Sequence, residues 1–279
     1  MTGHMLFFEK YFTYIDKYSN VNEIEPLSLL ESKKIKTLEL KNCTFKYGDK
    51  LILDNINLKI RENEIIALVG LNGSGKTTLV RILMGLLKPT SGKVLVNGIE
   101  LDNYGLQNYW AKSAYVPQLF AQFNFTVEEA ILLGRSVNNS KIFGDDFFME
   151  GIPSLTQQLG KEFSGSDLST GQWQKLAIMR SLIDEEKKEL FFFDEPTSAI
   201  DPLSEEKIYS IIEKTAKNKI AIYVTHRMST VTHATRVILL DKQKIVGDSN
   251  HRSLYQTNLL YRQMFDSQAG RFLEHTKNT

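Results

Sequence analysis

A glycine-rich segment that ends in lysine and threonine holds the clearest chemical signal in the sequence. Residues 70–77 read GLNGSGKT and fit the spacing G-x-x-x-x-G-K-[ST]. Glycines let a backbone curl so that successive N–H groups point at phosphate oxygens. Lys76 can add a full positive charge, and Thr77 can add a hydroxyl ligand for Mg²⁺. The segment therefore predicts a phosphate-binding loop, with a plain glycine-rich turn as the alternative.

Two adjacent carboxylates supply a second chemical signal. Asp194 and Glu195 follow the apolar run 190–193 and precede Pro-Thr-Ser. Acidic residues often end strands, but this flanking sequence favours a functional pair. Asp194 can hold Mg²⁺, directly or through water, and Glu195 can polarise an attacking water as a general base.

The loop and the carboxylate pair can act together only if the strands that precede them end at the same edge of one sheet. Apolar runs of buried-strand length occupy residues 65–69, 190–193, 220–224 and 237–240. Helical patterns lie between and around them, at 77–87, 127–133, 147–158 with a break near Pro153, 169–182 and 205–217. This alternation implies an α/β fold with a mainly parallel sheet covered on both faces, in which ligands bind at the carboxyl ends of the strands.

Ahead of the loop the pattern changes to alternating apolar and polar residues. This alternation covers 38–47 and 51–60, and a strand with a tight turn at 94–98 continues it. Half-buried strands have this period, so an antiparallel β subdomain is expected.

The ends of the chain differ from its centre. Residues 1–5 resemble a remnant of cloning, with a second start at Met5. Residues 6–35 are expected to form a helical extension, aromatic-rich over 6–18, followed by a polar linker. Residues 36–279 are expected to form the folded domain, with a helical subdomain at about 120–180.

Composition excludes several classes of function. With 34 basic and 33 acidic residues, the net charge of +1 gives no sign of a nucleic-acid-binding surface. The single cysteine, Cys43, fits a reducing, cytosolic compartment. No run of 18 apolar residues is present to span a bilayer, and no signal-peptide pattern is seen.

Five further segments complete a family resemblance. They are Tyr47, which lies 29 residues before Lys76; Gln118 after Val-Pro; the L-S-T-G-Q of residues 168–172; the S-A-I-D of residues 198–201; and His226. Each has a plain alternative, such as a packed sheet aromatic for Tyr47, a loop amide for Gln118 or a strand-end histidine for His226. Together with the loop and the carboxylate pair, they make the chain resemble the ATP-binding cassette (ABC) ATPases over roughly residues 36–265.

The resemblance implies a P-loop ATPase that uses ATP and Mg²⁺ and releases ADP. Tyr47 would stack on adenine. Gln118 would contact Mg²⁺ and the attacking water together with Thr77 and Asp194, and Glu195 and His226 would serve hydrolysis. The nucleotide-binding residues implied in the loop and the helix after it are Gly70, Asn72, Gly73, Ser74, Gly75, Lys76, Thr77 and Thr78.

The resemblance also implies a partner. In the family two cassettes pair head-to-tail, so that the signature segment of one completes the ATP site of the other. Here that segment comprises Leu168, Ser169, Thr170, Gly171 and Gln172, and Asp201 would lie on the same interface. Thr170 replaces the usual glycine and adds a side chain where backbone should approach phosphate. Because Glu195 is retained, we expect the replacement to be tolerated.

Two details narrow the resemblance to exporters of lantibiotic and bacteriocin-like peptides. The signature continues as W-Q-K at residues 173–175, and the tail carries Y-x-x-M-x-x-x-Q at residues 261–268. In such exporters a transmembrane domain precedes the cassette in one polypeptide, which residues 6–34 would adjoin. The expected function is therefore ATP-driven peptide export at the cytoplasmic face of a bacterial membrane.

Other functions compete with that interpretation. A stand-alone ATPase subunit of an importer or a drug exporter would carry the same motifs. A soluble cassette protein of DNA repair, cluster assembly or translation would show a coiled-coil insertion, tandem cassettes or basic patches, none of which the sequence contains. A binding module without turnover is disfavoured by Glu195 and His226.

Overall fold

The fold is known from a computed structural model that describes residues 33–133, 146–152, 154–160 and 168–275. The chain divides into two compact units, residues 1–34 and residues 35–279, and the described strands and helices belong to the second unit. The helix expected at 6–18 and most of the expected linker lie outside the described residues. The same is true of several stretches within the expected helical subdomain.

The strands form two sheets. A four-stranded antiparallel sheet has the order β2-β1-β4-β5, and a six-stranded sheet has the order β10-β9-β3-β8-β7-β6. In the second sheet only β10 is antiparallel to its neighbour. Their bounds are β1 Thr37–Tyr47, β2 Lys50–Arg61, β3 Ile65–Gly70, β4 Ser91–Val96, β5 Ile99–Glu100, β6 Ser113–Val116, β7 Leu190–Asp194, β8 Ile220–Val224, β9 Arg236–Asp241 and β10 Lys244–Ser249.

Both faces of the larger sheet are covered, as its continuous apolar strands require. Strand β7 sends Phe191 and Phe193 into one hydrophobic cluster and Leu190 and Phe192 into the other. Neighbouring strands divide their side chains in the same way, because successive side chains on a strand point to opposite faces. The predicted α/β fold, with a parallel core and an antiparallel subdomain, is confirmed.

The helices supply the two covering layers. Their bounds are α1 Lys76–Leu83, α2 Leu101–Tyr104, α3 Leu106–Ala111, α4 Val127–Leu132, α5 Asp146–Met149, α6 Thr170–Leu182, α7 Pro202–Thr215, α8 His251–Thr257 and α9 Leu259–His275. Short 3₁₀ turns lie at Glu185–Lys187 and Met228–His233. Among the described residues, no helix combines the length and the apolarity needed to cross a bilayer.

Three helix predictions need correction. Helix α1 stops at Leu83, short of the predicted residue 87, because the Leu86 amide folds back to the Arg81 carbonyl at 2.8 Å and closes the helix end. Helix α7 starts at Pro202 rather than residue 205, because the Asp201 side chain caps its N-terminus and proline suits the first helical turn.

The predicted helix over 147–158 was wrong in most of its length. Among the described residues of this segment, the helix is confined to Asp146–Met149. The described chain beyond it turns back, and Gln158 bridges antiparallel to Thr126. In this bridge the backbone at Gln158 pairs with a residue outside the segment, whereas a helical backbone bonds within its own segment.

Candidate nucleotide-binding and hydrolysis site

The site residues meet where the parallel strands end. Strand β3 runs into the glycine loop, β7 ends at Asp194, β8 ends two residues before His226, and β6 ends two residues before Gln118. The register pairs Asp194 with Val224 and Phe193 with Val116, so these ends lie side by side.

The glycine loop wraps the ammonium group of Lys76. Lys76 Nζ donates to the Gly70 carbonyl at 2.9 Å and to the Leu71 carbonyl at 3.1 Å. Burial lowers the pKa of Lys76, while the nearby carboxylates of Glu195 and Asp194 act in the opposite direction. The loop thus holds a largely desolvated positive charge, suited to an anionic ligand.

Gly75 is required by both its backbone and its surroundings. Its φ of +102° lies in the left-handed region that favours glycine. A Cβ built there would lie 2.8 Å from the Leu53 side chain and 3.0 Å from the Ile52 carbonyl of β2. The antiparallel sheet therefore packs directly over the point where α1 begins.

A buried carboxylate stands beside that helix N-terminus. Thr77 Oγ1 donates to Asp194 Oδ1 at 3.2 Å. Burial raises the pKa of Asp194, and the hydrogen bond from Thr77 partly offsets that effect. Asp194 Oδ2 and Ser74 Oγ are buried and make no hydrogen bond among the described residues. A hydroxyl and a free carboxylate oxygen at one point suit the hard-oxygen preference of Mg²⁺.

Glu195 is the meeting point of two other predicted residues. Gln118 Nε2 donates to Glu195 Oε2 at 3.2 Å, and His226 Nδ1 lies 3.3 Å from the same oxygen. The His226 side chain remains 49% exposed, whereas Glu195 is largely buried at 17%. A carboxylate so placed can accept a proton while its two neighbours orient the reacting groups.

The backbone of Glu195 is held in an unusual conformation. Its φ of +54° lies in the left-handed region, which costs a non-glycine residue on the order of 1–3 kcal/mol. Its amide donates to the Val224 carbonyl at 3.1 Å, and its carbonyl accepts from Gln174 Nε2 at 3.0 Å. Neighbouring elements thus fix the angle at which the carboxylate leaves the sheet.

Gln174 has a role that the sequence did not reveal. It lies on α6, is 1% exposed, and also donates to Ser198 Oγ at 3.2 Å and accepts from the Ala199 amide at 2.9 Å. No signal for it was present in the sequence, because only the structure shows that Gln174 lies within a continuously buried run of α6. A polar side chain so buried needs hydrogen-bond partners.

The signature segment begins a helix, as predicted. Ser169 is the N-cap of α6 and forms a capping box with Gln172, each side chain bonding the other's backbone amide. Leu168 is buried, and Thr170 is exposed in the first turn. A Cβ built on Gly171 would lie 2.8 Å from the Ala199 carbonyl. Glycine is therefore needed where α6 touches the segment after Glu195.

The structure shows local contacts for Tyr47 and Asp201. Tyr47 ends β1, is 48% exposed, and meets the Phe45 ring edge-on with centroids 4.8 Å apart. Asp201 Oδ1 accepts from the Leu203 and Ser204 amides at 3.1 and 3.0 Å. Hydrogen bonds from Ser204 lower the pKa of Asp201. Both residues have a local structural role, and their predicted contacts with adenine and with a second chain stay predictions.

Comparison with known proteins agrees with this geometry. Residues 53–198 match the family model of the ABC transporter. The chain is 33% identical to the subtilin transport ATP-binding protein SpaT of Bacillus subtilis over 84% of its length, which is 40% of that protein. It is 31% identical to a putative export ATP-binding/permease protein of Rickettsia bellii over 92% of its length, 45% of that protein.

A solved structure gives the same result. A bacterial Atm1-family ABC exporter with ATP bound superposes with a TM-score of 0.75 at 27% identity, covering 84% of this chain and 42% of the exporter chain. The chain thus spans less than half the length of each of these relatives. It belongs to the ABC transporter family, of which it is an ATP-binding and ATP-hydrolysing domain resembling those of exporters.

Proposed function

We propose that Glu195 is the general base of ATP hydrolysis and that Gln118 and His226 set its geometry. The convergence of both side chains on one oxygen of Glu195 carries this assignment. Glu195 would accept a proton from the attacking water, and His226 would hydrogen-bond the γ-phosphate. General bases of this kind contribute roughly 10²- to 10⁴-fold in rate.

The loop residues bind and orient the nucleotide in this proposal. Lys76 would leave the carbonyls of its own loop for phosphate oxygens, and the amides of residues 70–77 would cradle them. Thr77, Asp194 and Gln118 would hold Mg²⁺, which neutralises charge on the β- and γ-phosphates when bound. The exposed ring of Tyr47 would stack on adenine.

A second copy of the chain would complete the site. Ser169 and the exposed start of α6 offer a helix N-terminus to a γ-phosphate, and Asp201 lies on the segment that touches this helix. Two chains would thus close head-to-tail on ATP and separate after hydrolysis. Such a cycle would switch an attached membrane domain between states.

We further propose that this membrane domain belongs to the same polypeptide and exports a peptide of the lantibiotic or bacteriocin type. Two relatives, named a subtilin transport ATP-binding protein and a putative export ATP-binding/permease protein, support this. The domain would then work at the cytoplasmic face of a bacterial membrane. A separate ATPase subunit of an importer or a drug exporter is the alternative.

Glu195→Gln tests the catalytic assignment. The variant keeps the shape of the side chain but cannot accept the proton, so hydrolysis should fall by at least about 100-fold. An ATP-bound dimer should then persist in gel filtration. Glu128→Gln, an exposed carboxylate in the first turn of α4, is the matched control. Normal turnover by Glu195→Gln would refute the assignment.

Export can be tested on the full transporter in lipid vesicles. Peptides of the lantibiotic class should raise its ATPase rate and accumulate in inside-out vesicles, whereas apolar drugs should do neither. Stimulation by drugs alone would favour the alternative transporter, and it would leave the hydrolysis assignment intact.

A further inference from the structure

The last described helix presents three residues of the tail motif on one face. Tyr261, Met264 and Gln268 of α9 are spaced at three and four residues, so they point to the same side. Tyr261 is fully buried, and its hydroxyl lies 2.8 Å from His251 Nδ1 on α8. Met264 packs against the larger hydrophobic cluster. These two contacts fix the position of α9 and therefore the position of its next turn, which carries Gln268.

That turn places the Gln268 amide against the backbone around His226. Gln268 Nε2 donates to the His226 carbonyl at 2.6 Å, and Gln268 Oε1 accepts from the Met228 amide at 2.7 Å. One planar amide thus satisfies an acceptor and a donor two residues apart, as a neighbouring strand would. The Gln268 side chain thus holds the backbone that follows the end of β8 at Val224.

The His226 side chain depends on such support. It is about half exposed, so little packing fixes its ring. Its chain neighbours are anchored instead: Arg227 forms an ion pair with Glu205 at 2.9 Å, and the Arg227 amide donates to Thr225 Oγ1 at 3.0 Å. Gln268 adds the contact to the backbone of His226 itself, and it comes from an element far along the sequence.

We propose that Gln268 is a positioning residue for hydrolysis, acting through His226. It holds the backbone from which the imidazole reaches Glu195, and it makes α9 part of the catalytic machinery. This inference rests on the role proposed for His226. It assigns the tail glutamine a function separate from nucleotide binding, because its contacts involve none of the loop residues.

Gln268→Ala and Gln268→Met are the first variants, and Gln263→Ala, an exposed glutamine on the same helix, is the control. Both Gln268 variants should lower kcat about tenfold or more, since small displacements of a positioned group cost up to ~10²-fold. The KM for ATP should change less than about twofold, because Lys76 and its loop are untouched. Gln263→Ala should match the wild type in both constants. Unchanged kcat in a folded Gln268→Met chain would overturn the inference.

A double-mutant cycle with His226→Ala separates this inference from the proposed function. In the His226→Ala background, Gln268→Met should change the residual single-turnover rate less than about twofold, because the group it positions is gone. An undiminished tenfold loss in that background would overturn the link to His226. Full turnover by His226→Ala itself would instead refute the proposed role of the histidine.

Discussion

The side-chain amide of Gln174 donates a 3.0 Å hydrogen bond to the backbone carbonyl of Glu195. The same amide bonds Ser198 and Ala199, so one buried side chain on α6 fixes both the proposed base and the segment after it. The left-handed backbone of Glu195 is costly in isolation, and these bonds are among those that hold it.

Replacement of Gln174 by alanine should therefore lower both turnover and stability. The lost partners leave the Ala199 amide and the Glu195 carbonyl unsatisfied, which should cost ~1–3 kcal/mol in the free energy of unfolding. We expect kcat to fall at least about tenfold, because the base loses its fixed angle. Urea unfolding and steady-state ATPase measurements check this, with the exposed Gln107→Ala as control. A stability loss with unchanged kcat would leave Gln174 a purely structural role.

Gly171→Ala should reverse the usual effect of such a change in a helix. Alanine normally stabilises a helix by about 1 kcal/mol over glycine. Here the added Cβ would lie 2.8 Å from the Ala199 carbonyl, so overpacking should destabilise the chain by ~1–3 kcal/mol.

Thr170→Ala is the matched comparison for Gly171→Ala, because Thr170 is exposed one residue earlier. Thermal unfolding should show a lower Tm for Gly171→Ala and none of that loss for Thr170→Ala. Equal melting temperatures for the two variants would mean that the backbone at Ala199 moves to accommodate the added Cβ without loss of stability.

Thr170→Gly tests whether the unusual signature residue slows the enzyme. Thr170 is exposed in the first turn of α6, so its side chain can turn aside for a ligand. We expect the ATPase rate to rise less than about tenfold, or ~1.4 kcal/mol in barrier. A larger rise would show that threonine obstructs closure.

The stability of the chain should fall as the pH drops through the range of His251. Burial lowers the pKa of His251 below its ordinary value of about 6.5. The unfolded chain then binds the proton more readily, so the stabilisation is present above about pH 6.5 and is lost on acidification. Its neighbours Tyr255 and Tyr261 are neutral phenols, and burial raises the pKa of Tyr261.

His251→Gln removes that proton-linked term. Urea unfolding at pH 7.5 and pH 5.5 should show a smaller acid loss in the variant than in the wild type. Parallel losses in the two proteins would assign the acid sensitivity to other groups.

The strand ends and their chemical residues were predictable because they depend on local pattern. The apolar run before Asp194 and Glu195 indicates that they end a buried strand. The spacing of residues 70–77 indicates the phosphate-binding loop. Parallel strands bring such ends to one edge of a sheet whatever the loops do. The meeting of Gln118, Glu195 and His226 follows from that rule.

The supporting contacts were not predictable from the same patterns. Gln174 reaches Glu195 across 21 residues of sequence, and Gln268 reaches His226 across 42. Sequence periodicity predicts which face of a helix is buried, but it does not predict which strand or helix that face packs against. The wrong helix over 147–158 has the same origin, since the bridge from Gln158 to Thr126 is a tertiary contact.

Helix α6 has a further consequence for two chains that pair head-to-tail. In the proposed dimer the start of α6 would face the ATP of the partner. Gln174, about one turn later, donates to the backbone of Glu195, the residue proposed to act on the chain's own ATP. A single turn of helix would therefore join the two ATP sites of that dimer. Hydrolysis at one ATP site and contact of α6 with the ATP at the other site should then be coupled. The two sites of the dimer would turn over as a unit.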